Sequence, residues 1–462
     1  MPRFAILGAG PTGIGAALRL LERGQDDFVV LEQGDRPGGL ARSVVDERGF
    51  TWDLGGHVQF SHYPSFDRYM DLALGSEGWL HHVRESWIWL RGRFVPYPFQ
   101  HNLHRLPPEE RDECVRGLVE AARGGAREAH TFKDWILASF GPGIARVFML
   151  PYNWKVWAHP LEELACRWVG DRVATPDVGD VLEGVRLGRD RVSWGPNSTF
   201  RFPRRGGTGA VWSSLAARVP EGALRLREGV VSVDAPRRRL RTAAGREIDY
   251  EHLVSSVPLD SLAGLLDRPD LARLSAGLRR TSTHVVGVGL EGQPGEALRT
   301  KCWMYFPEAD CPFYRVTVFS NYSPENAPRP GRTWSLMAEV AESVHKPVRR
   351  DQVEAEVVAG LRATGLIDAD ARVLGVWSRF LPHGYPVPSL DRDAILAALR
   401  PELERLGVYS RGRFGAWTYE VSNQDHSFMQ GWECVDRLLD GGGPEAETTL
   451  RHPERVNAPR GR

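Results

Sequence analysis

Three glycines near the N-terminus restrict the fold of this chain more than any other feature. Gly8, Gly10 and Gly13 lie between an apolar run and a helical pattern, and Glu32 ends the next apolar run. Glycines at this spacing permit a tight turn between strand and helix and let the backbone approach a pyrophosphate. An acid about 20 residues later is placed to accept hydrogen bonds from an adenosine ribose. The pattern predicts a Rossmann-type βαβ unit that binds a dinucleotide, with strand, helix and strand at 3–8, 11–24 and 28–32.

A second glycine pair indicates which dinucleotide is bound. Gly38 and Gly39 lie within the segment 36–42, just past the second predicted strand. Domains that bind only NAD seldom continue in this way, whereas large FAD oxidoreductases do. We therefore predict FAD as the cofactor. An NAD enzyme and a non-catalytic relative of the Rab GDP-dissociation-inhibitor type remain alternatives, which flavin absorbance in the purified protein would exclude.

Composition argues against several classes of function. The 462 residues carry equal numbers of basic and acidic side chains, so no overall field attracts nucleic acid or an anionic membrane. No segment reaches the roughly 18 apolar residues needed to span a bilayer. Five scattered cysteines form no CxxC pair, which argues against a disulfide framework or a zinc site. We expect a cytoplasmic protein with no metal, no nucleic-acid partner and no membrane span.

The order of the helical and strand patterns suggests a discontinuous architecture. Helical spacing dominates about 104–150, strands dominate 282–341, and helices return near 350–364 and 390–405. We predict an α/β protein in which a Rossmann-type FAD-binding domain receives a helical insertion and an antiparallel-sheet insertion. The expected ranges are 1–95, 195–280 and 405–445 for the FAD-binding domain, 100–192 for a helical substrate and nucleoside domain, 281–400 for a sheet domain with diphosphate-binding residues, and 441–462 for a flexible tail.

The segment 53–63 places glycines where a flavin ring would lie. Gly55 and Gly56 precede His57 and follow a short strand-like run. In flavin folds the backbone here runs beside the isoalloxazine ring, and glycine permits the close approach. A histidine in such a place is as often a packed core residue as a functional one.

A series of stretches, taken in chain order, matches one known family. They are GGHVQFSHY (55–63), VPYPFQ (95–100), PYNWKVW (151–157), WGPNSTFRFP (194–203), CWMYFP (302–307), CPFYR (311–315), FSNYSP (319–324), HGYP (383–386), SRGRFG (410–415) and YEVSNQDHS (419–427). From residue 4 to about 440 the chain therefore resembles the UDP-galactopyranose mutases of the eukaryotic type. It departs from them at Gln59, where the family tends to have an aliphatic residue, at Phe94, where tryptophan is usual, and in a shorter C-terminal tail.

The resemblance implies an isomerase that interconverts UDP-galactopyranose and UDP-galactofuranose without net redox change. In this chemistry N5 of reduced FAD attacks the anomeric C1 and expels UDP. The N5–sugar adduct opens as an iminium, and the ring recloses through O4 before UDP reattaches. NADPH, the reductant of eukaryotic-type relatives, is the expected reductant, although no second GxGxxG is visible for it.

The resemblance also implies roles for individual residues. Arg315 and Arg413 match arginines that bind the diphosphate, and Tyr322, Tyr385 and Tyr419 match tyrosines that donate hydrogen bonds to it. The expected catalytic set is Gly56, His57, Arg172, Arg315 and Arg413. Other substrate contacts are expected from Tyr97, Gln100, Phe148, Asn153, Trp157, Asn197, Trp303 and Tyr305. Contacts to FAD are expected from Gly8, Gly10, Pro11, Thr12, Gly13, Glu32, Gln33, Gly39, Leu40, Ala41, Val231, Gly412, Asn423, Gln424 and Ser427.

Alternative interpretations remain open. A mutase acting on a different nucleotide hexose would use the same diphosphate and flavin machinery. A flavin amine oxidase or desaturase shares the βαβ start and the strand-like 252–257, but has no use for two buried arginines with three tyrosines. Arg315, on an otherwise apolar strand, could instead form a salt bridge with a core carboxylate. The oligomeric state is open, with a homo-oligomer possible.

Overall fold

A five-stranded parallel sheet carries the predicted βαβ unit. The computed structural model describes residues 2–124, 128–170, 173, 175–192 and 198–457. The strands are β1 (Phe4–Leu7), β2 (Phe28–Leu31), β9 (Leu224–Arg225), β13 (His252–Ser255) and β19 (Val408–Ser410), in the order β19-β13-β1-β2-β9. Every residue of β1 and β2 is buried, as expected of a parallel strand covered on both faces. The predicted Rossmann-type α/β fold is confirmed.

Two helices pack on each other beside this sheet through glycines. Helix α1 (Pro11–Glu22) lies against α13 (Gln424–Asp440), although 401 residues separate the two in sequence (from 23 to 423). A Cβ on Gly15 would lie 2.3 Å from the carbonyl oxygen of Phe428, and a Cβ on Gly431 would lie 2.0 Å from that of Thr12. The close approach of the two backbones therefore requires glycine on both helices.

A second, seven-stranded sheet carries four of the predicted site residues, Trp303, Tyr305, Arg315 and Tyr385. Its strands are β6 (Ser86–Leu90), β7 (Arg93–Pro96), β14 (Arg280–Glu291), β15 (Trp303–Tyr305), β16 (Arg315–Val318), β17 (Thr333–Glu342) and β18 (Val373–Pro386), in the order β18-β14-β17-β16-β15-β6-β7. All neighbours are antiparallel except β15 and β6. The assignment of 86–95 to the FAD-binding domain is therefore wrong, because these residues pair with β15.

The region predicted to be helical is helical. Helices α3 (Pro108–Arg123), α4 (Phe132–Ile144), α5 (Leu150–Trp157) and α6 (Val178–Leu187) share a hydrophobic cluster with residues of β6 and β7, and a π-helical turn, Ala145–Met149, joins α4 to α5. Thr131 caps α4 by accepting a hydrogen bond from the amide of Asp134, whose carboxylate in turn accepts one from the amide of Thr131.

Smaller elements complete the chain. The strands are β3 (Ser43–Val45), β4 (Thr51–Asp53), β5 (Trp79–Val83), β8 (Thr199–Pro203), β10 (Val230–Asp234), β11 (Arg239–Thr242) and β12 (Glu247–Asp249). The helices are α2 (Pro64–Leu74), α7 (Gly209–Ala216), α8 (Leu259–Leu265), α9 (Pro269–Ser275), α10 (Phe319–Tyr322), α11 (Val353–Ala363) and α12 (Arg392–Arg405).

The segment after α13 departs from the predicted flexible tail. It forms the short helices α14 (Thr448–Arg451) and α15 (Pro453–Asn457). The Glu447 side chain is fully buried and binds Arg411 and Arg437 in ion pairs. The prediction of a flexible tail is therefore wrong for 444–457, because a polar, proline-containing sequence can be held by buried charges as well as by apolar contacts.

Candidate functional site

The turn from β1 into α1 is built around glycine. Gly8 has φ of +94°, a left-handed conformation that favours glycine, and a Cβ on Gly13 would lie 1.9 Å from the Gly8 carbonyl oxygen. Gly10 is the N-cap residue of α1 and has no side chain to cap the helix. The amides of an uncapped helix N-terminus bind anions. The turn therefore fits the pyrophosphate of a dinucleotide.

Two further loops approach this turn through predicted FAD residues. A Cβ on Gly39 would lie 3.2 Å from the Cα of Gly10, and a Cβ on Gly412 would lie 2.2 Å from Oγ1 of Thr12. The Gly412 amide donates a 2.7 Å hydrogen bond to the side-chain oxygen of Gln430 in α13. Three segments that are distant in sequence, 10–12, 39 and 412, thus meet at the N-terminus of α1.

Glu32 lies at the predicted ribose end of this cradle. Its carboxylate accepts hydrogen bonds from the amides of Ala9, at 2.8 Å, and Gly34, at 2.7 Å. These bonds join the ends of β1 and β2 and orient the acid. A Cβ on Gly229 would lie 3.2 Å from the Cβ of Gln33, which brings β10 to the same end of the sheet.

The remaining predicted FAD contacts in this half differ in exposure. Val231, in β10, is 46% exposed and Leu40 is partly buried, so both have surface available to a ligand. Ala41 is 3% exposed and packs in the hydrophobic core beside α2 and α7. Pro11 begins α1, where it loses no helical hydrogen bond.

The N-terminus of α13 faces the segment 55–63. Asn423 is its N-cap residue, and the amide of Ser427 bonds to the Asn423 carbonyl at 2.9 Å. The side-chain oxygen of Gln424 accepts hydrogen bonds from Gln59, at 2.9 Å, and from Trp212, at 2.6 Å. That oxygen of Gln424 is therefore used within the protein.

In the described part of the chain, His62, Asp425 and His426 form a group whose possible metal-ligating atoms lie within 4.8 Å of one another. The two imidazoles are stacked, with centroids 4.6 Å apart and planes 19° apart, so their in-plane lone pairs do not converge. Asp425 instead accepts hydrogen bonds from the amide and Nδ1 of His62, at 3.0 and 2.7 Å. Burial would raise the pKa of Asp425, but His426 and His62 outweigh it and lower the pKa to about 2. The geometry suits a hydrogen-bonded pair better than a metal.

The turn at Gly55–His57 lies against β15 and β17. Gly55 has φ of +135°, and a Cβ on Gly56 would lie 3.0 Å from Nε1 of Trp303 and 3.2 Å from Oε1 of Glu339. The Gly56 amide donates a 2.8 Å hydrogen bond to Glu339. Within the described residues, His57 Nδ1 and Trp303 Nε1 are buried without a hydrogen-bond partner. Two such polar atoms beside a glycine turn suit a polar ligand such as the flavin ring.

Both predicted arginines lie near enough to His57 to act on its ionisation. Burial lowers the pKa of His57 to about 4, and Arg413 and Arg315 act in the same direction while Glu339 opposes them. The imidazole is therefore neutral near pH 7.

Arg315 pairs with a carboxylate that the sequence analysis did not name. Its Nη2 lies 2.7 Å from Oε1 and 2.8 Å from Oε2 of Glu339, and its Nε lies 3.0 Å from Oε1. Glu339 is 3% exposed and also accepts a hydrogen bond from the hydroxyl of Tyr314. The salt bridge considered as an alternative is therefore present. Because these bonds use Nε and Nη2, the Nη1 group can still bind a second anion.

Arg413 has a different set of partners. It donates to the carbonyl oxygen of Gly384 at 2.8 Å, and to the carbonyl and hydroxyl oxygens of Ser422 at 3.2 and 3.0 Å. Its guanidinium lies 4.9 Å from the centroid of the Tyr385 ring. These contacts are to neutral groups and hold the side chain in place.

Aromatic residues form one wall beside Arg413. The rings of Tyr385 and Tyr419 are 6.0 Å apart, and Trp157 lies 5.9 Å from Tyr385 and 4.9 Å from Tyr419. The structure thus brings Trp157, expected at the nucleoside, next to two tyrosines expected at the diphosphate.

A second aromatic group contains the other expected nucleoside residues. Tyr97 lies 5.9 Å from Tyr305, which lies 5.3 Å from Tyr152. Tyr152 stacks on Phe148 at 5.3 Å with the planes 12° apart. Phe148 itself is 3% exposed, so it supports the stack from within the core.

Three further predicted residues are bonded within the protein or buried in it. The side-chain nitrogen of Asn153 donates to the Met149 carbonyl within the helical segment, at 2.8 Å, and Gln100 is 2% exposed. Tyr322 is fully buried, 6.0 Å from Trp303, rather than beside Tyr385 and Tyr419. Arg172 and Asn197 lie outside the described residues.

Sequence reasoning missed Glu339, Tyr314, Tyr152 and Arg84. Arg84 is 6% exposed, and its guanidinium lies over the rings of Trp303, at 4.7 Å, and Tyr97, at 5.7 Å. For Glu339 a signal existed, because it is a charged residue in an apolar, strand-like run, whereas Arg84 lies among polar residues. The two tyrosines gave no such signal.

Comparison with known proteins identifies the family. The family described as flavin containing amine oxidoreductase matches residues 11–382. The crystal structure of a reduced UDP-galactopyranose mutase has 43% sequence identity and a TM-score of 0.95, with 100% of each chain covered. The chain belongs to the UDP-galactopyranose mutase family. The resemblance inferred from the motifs is thus confirmed.

More distantly related structures share the fold of this chain. One is a candidate protoporphyrinogen oxidase from Exiguobacterium, with 18% identity, a TM-score of 0.71 and coverage of 95% of this chain and 98% of the other. Another is a putrescine oxidase bound to putrescine, with 16% identity, a TM-score of 0.65 and coverage of 95% and 99%. Among the described residues, no helix combines the length and the apolar character needed to cross a bilayer.

Proposed function

We propose that this protein is an FAD-dependent isomerase that interconverts UDP-galactopyranose and UDP-galactofuranose. One observation carries the proposal beyond family membership. Arg315 bonds to Glu339, which also accepts a hydrogen bond from the Gly56 amide, and both Arg315 and Arg413 act to lower the pKa of His57. Two guanidinium groups therefore share one site with the glycine turn expected at the flavin. Two planar, permanently charged forks suit a diphosphate better than an amine substrate.

FAD would be held by the glycine cradle at the N-terminus of α1, by Glu32 at the ribose, and by Gly39 and Gly412. When reduced, FAD supplies a nucleophilic nitrogen able to take up the anomeric carbon of the sugar. The role we assign to the protein is to orient the sugar toward that nitrogen and to keep the departed UDP within reach.

Each part of the substrate has a group of residues suited to it. Arg413 and the Nη1 group of Arg315 would bind the diphosphate and stabilise its charge when it leaves. Tyr385 and Tyr419 would add hydroxyl donors. The aromatic group around Tyr97 and Tyr305 offers stacking surface for uracil.

The turn at Gly55–His57 would contact the flavin. A neutral imidazole at position 57 adds no positive charge beside the ring. We assign His57 to shaping the flavin site and Gly56 to close approach, with its carbonyl oxygen toward N5. Arg172 and Asn197 are proposed near the sugar and flavin on the strength of the family motif alone.

We also propose NADPH as the direct reductant, a cytoplasmic location, and no nucleic-acid partner. The five cysteines are all unpaired, as suits a reducing compartment. Anaerobic stopped-flow mixing of oxidised protein with NADPH tests the first proposal. Bleaching of the flavin within minutes supports NADPH, and an unchanged spectrum means that another donor is used.

A substrate panel tests the proposed reaction most directly. Dithionite-reduced protein is incubated with UDP-galactofuranose, and in parallel with UDP-galactopyranose, other UDP-hexopyranoses and GDP-hexopyranoses, and the products are separated by chromatography. We expect interconversion of the two UDP-galactose forms only. Interconversion of a different pair would move the assignment to another nucleotide hexose.

A flavin amine oxidase is the second candidate, favoured by the match of the amine oxidoreductase family to residues 11–382. An oxidase transfers hydride from substrate to flavin and consumes oxygen, whereas a mutase leaves the redox state unchanged. Oxygen uptake with polyamines, in the absence of any nucleotide sugar, would favour this candidate and contradict the mutase.

A further inference from the structure

The carboxylate of Glu339 joins the two halves of the candidate site. It accepts a hydrogen bond from the Gly56 amide at 2.8 Å, on the side expected to face the flavin. It also accepts three from Arg315, at 2.7 to 3.0 Å, on the side expected to face the diphosphate. A single buried side chain on β17 therefore contacts both the cofactor turn and an anion-binding arginine.

The bonding around Glu339 is more than is needed to neutralise a buried charge. The hydroxyl of Tyr314 donates a further hydrogen bond to Oε2, and Arg315 reaches both carboxylate oxygens. Burial would raise the pKa of Glu339, but Arg315 and Tyr314 outweigh it, so the carboxylate stays charged. The Gly56 amide bonds to Oε1, the oxygen that also takes two of the three bonds from Arg315.

A diphosphate and Glu339 compete for the same guanidinium. Arg315 can offer Nη1 to an incoming phosphate, but its charge is then shared between two anions. The hydrogen bonds from Arg315 to Glu339 then weaken. The carboxylate in turn accepts more strongly from the Gly56 amide and the Tyr314 hydroxyl. Binding at the diphosphate end is thereby linked to the charge beside the Gly55–His57 turn, and the linkage is reciprocal.

We propose that Glu339 is a positioning residue that couples occupation of the diphosphate site to the Gly55–His57 turn at the flavin, using Arg315 as the shared partner. The proposal rests on the function assigned above. It adds a residue that does not touch the substrate but limits how tightly UDP is held and transmits its arrival to the cofactor.

Glu339→Gln in the FAD-bound protein tests the coupling. The amide keeps the shape and can still accept from Gly56, but it removes the charge that competes for Arg315. We expect UDP to bind about tenfold more tightly, the equivalent of one charge-assisted hydrogen bond. The change that UDP causes in the flavin absorbance spectrum should shrink, and kcat and KM should fall together.

Tyr314→Phe is a second variant with the opposite expected sign. Loss of the hydroxyl leaves the carboxylate with one donor fewer, so it holds Arg315 more strongly and UDP binds more weakly. Glu342→Gln is the matched control, because Glu342 lies on the same strand and also pairs with an arginine, Arg350, but away from the turn. The control should leave UDP affinity and the spectral response unchanged.

The outcomes separate the coupling from the proposed function. Unmodified protein that fails to bind UDP or to convert the nucleotide sugar refutes the function itself. If the unmodified protein is active, unchanged UDP affinity and spectral response in Glu339→Gln overturn the coupling. So does weaker UDP binding that follows loss of FAD and of melting temperature, because that pattern marks a purely structural residue.

Discussion

Arg413 bonds to neutral oxygens whereas Arg315 pairs with the carboxylate of Glu339, so removing each arginine should have a different effect. Arg413 donates to neutral oxygens of Gly384 and Ser422, so Arg413→Ala strands no charge through those bonds. We expect it to keep its FAD and to lose about one to two decades in kcat/KM, since a charge-assisted contact to a desolvated phosphate contributes about 1.5–3 kcal/mol. Steady-state kinetics on reduced protein, normalised to flavin content, measure this.

Arg315→Ala should cost stability as well as turnover. Removing one partner of a buried ion pair costs about 3–5 kcal/mol, and here it exposes the Glu339 charge to an apolar strand. Arg350→Ala, which removes an exposed arginine paired with Glu342, is the control for both variants. Near-wild-type kinetics in both Arg315→Ala and Arg413→Ala would show that the diphosphate binds elsewhere.

The lowered pKa of His57 predicts how the stability of the protein depends on pH. Its pKa is about 4 in the folded protein and about 6.5 in an unfolded chain, so the unfolded state binds the additional proton between those values. The stabilisation from the buried neutral ring is complete above pH 6.5 and is lost as the pH falls toward 4, a change of about 3 kcal/mol. His57→Ala should flatten this part of the acid unfolding curve, whereas His81→Ala, which removes an exposed histidine, should not.

The same preparation of His57→Ala separates a functional from a packing role. If the ring shapes the flavin site, the flavin spectrum shifts and turnover per bound flavin falls in reduced protein. If turnover per bound flavin is unaltered while the melting temperature drops, the histidine is only a packed residue.

At the residue scale, the sequence revealed the parts of the site whose chemistry is local. Gly8, Gly13 and Gly39 could be recognised because a turn without room for a Cβ requires glycine at those positions. Glu339 could not be paired with Gly56, because 283 residues separate them and only the sheet brings them together. Roles that no local pattern indicates, such as those of the tyrosines, came from the resemblance to the family.

Two helical glycines give a matched test at the scale of the element. Gly13 in α1 has no room for a Cβ, which would lie 1.9 Å from the Gly8 carbonyl oxygen, whereas nothing lies within 4 Å of a Cβ on Gly264 in α8. We expect Gly13→Ala to give protein without FAD, and Gly264→Ala to keep FAD and gain about 0.5–1 kcal/mol in stability. The ratio of flavin to protein absorbance and the melting temperature decide between these results. Full FAD content in Gly13→Ala would contradict the assigned cradle.

The segment 444–457 gives the second test of an element. Glu447 is fully buried between Arg411 and Arg437, and Arg411 immediately precedes Gly412 in the FAD cradle. Glu447→Ala should therefore cost about 3–5 kcal/mol and weaken FAD retention, because it leaves the buried guanidinium of Arg411 and the partly buried one of Arg437 with fewer partners. Glu445→Ala, a change at an exposed residue two positions earlier, is the control. Equal melting temperatures for the two variants would mean that the segment contributes nothing.

Elements were predictable from sequence where local periodicity defined them. The βαβ unit and α3–α4 follow simple apolar patterns, and the structure confirms them. Strand β18, Val373–Pro386, was not predicted, since half-buried residues along it show no clean alternation. Residues 86–95 were placed in the FAD-binding domain because β15, the strand that β6 pairs with, lies more than 200 residues away.

At the scale of the whole molecule, each of the two large sheets contributes a different part of the candidate site. The parallel sheet and its glycine turns form the proposed cradle for FAD, and the seven-stranded sheet carries Arg315 and Glu339 on adjacent strands. The 55–63 segment joins them, bound to β17 through Gly56 and to α13 through His62. The architecture therefore brings the proposed flavin and diphosphate sites together, and we assign no catalytic acid or base to them among the described residues.

The most direct test of the account is the dependence of turnover on the redox state of the flavin. Dithionite-reduced protein and air-oxidised protein are given UDP-galactofuranose under otherwise identical anaerobic conditions, and UDP-galactopyranose is measured over time. The account predicts many turnovers per flavin in the reduced protein, no net reoxidation, and no product above background in the oxidised protein. Equal rates in the two states would contradict the central claim that the reduced flavin takes part in the ring contraction.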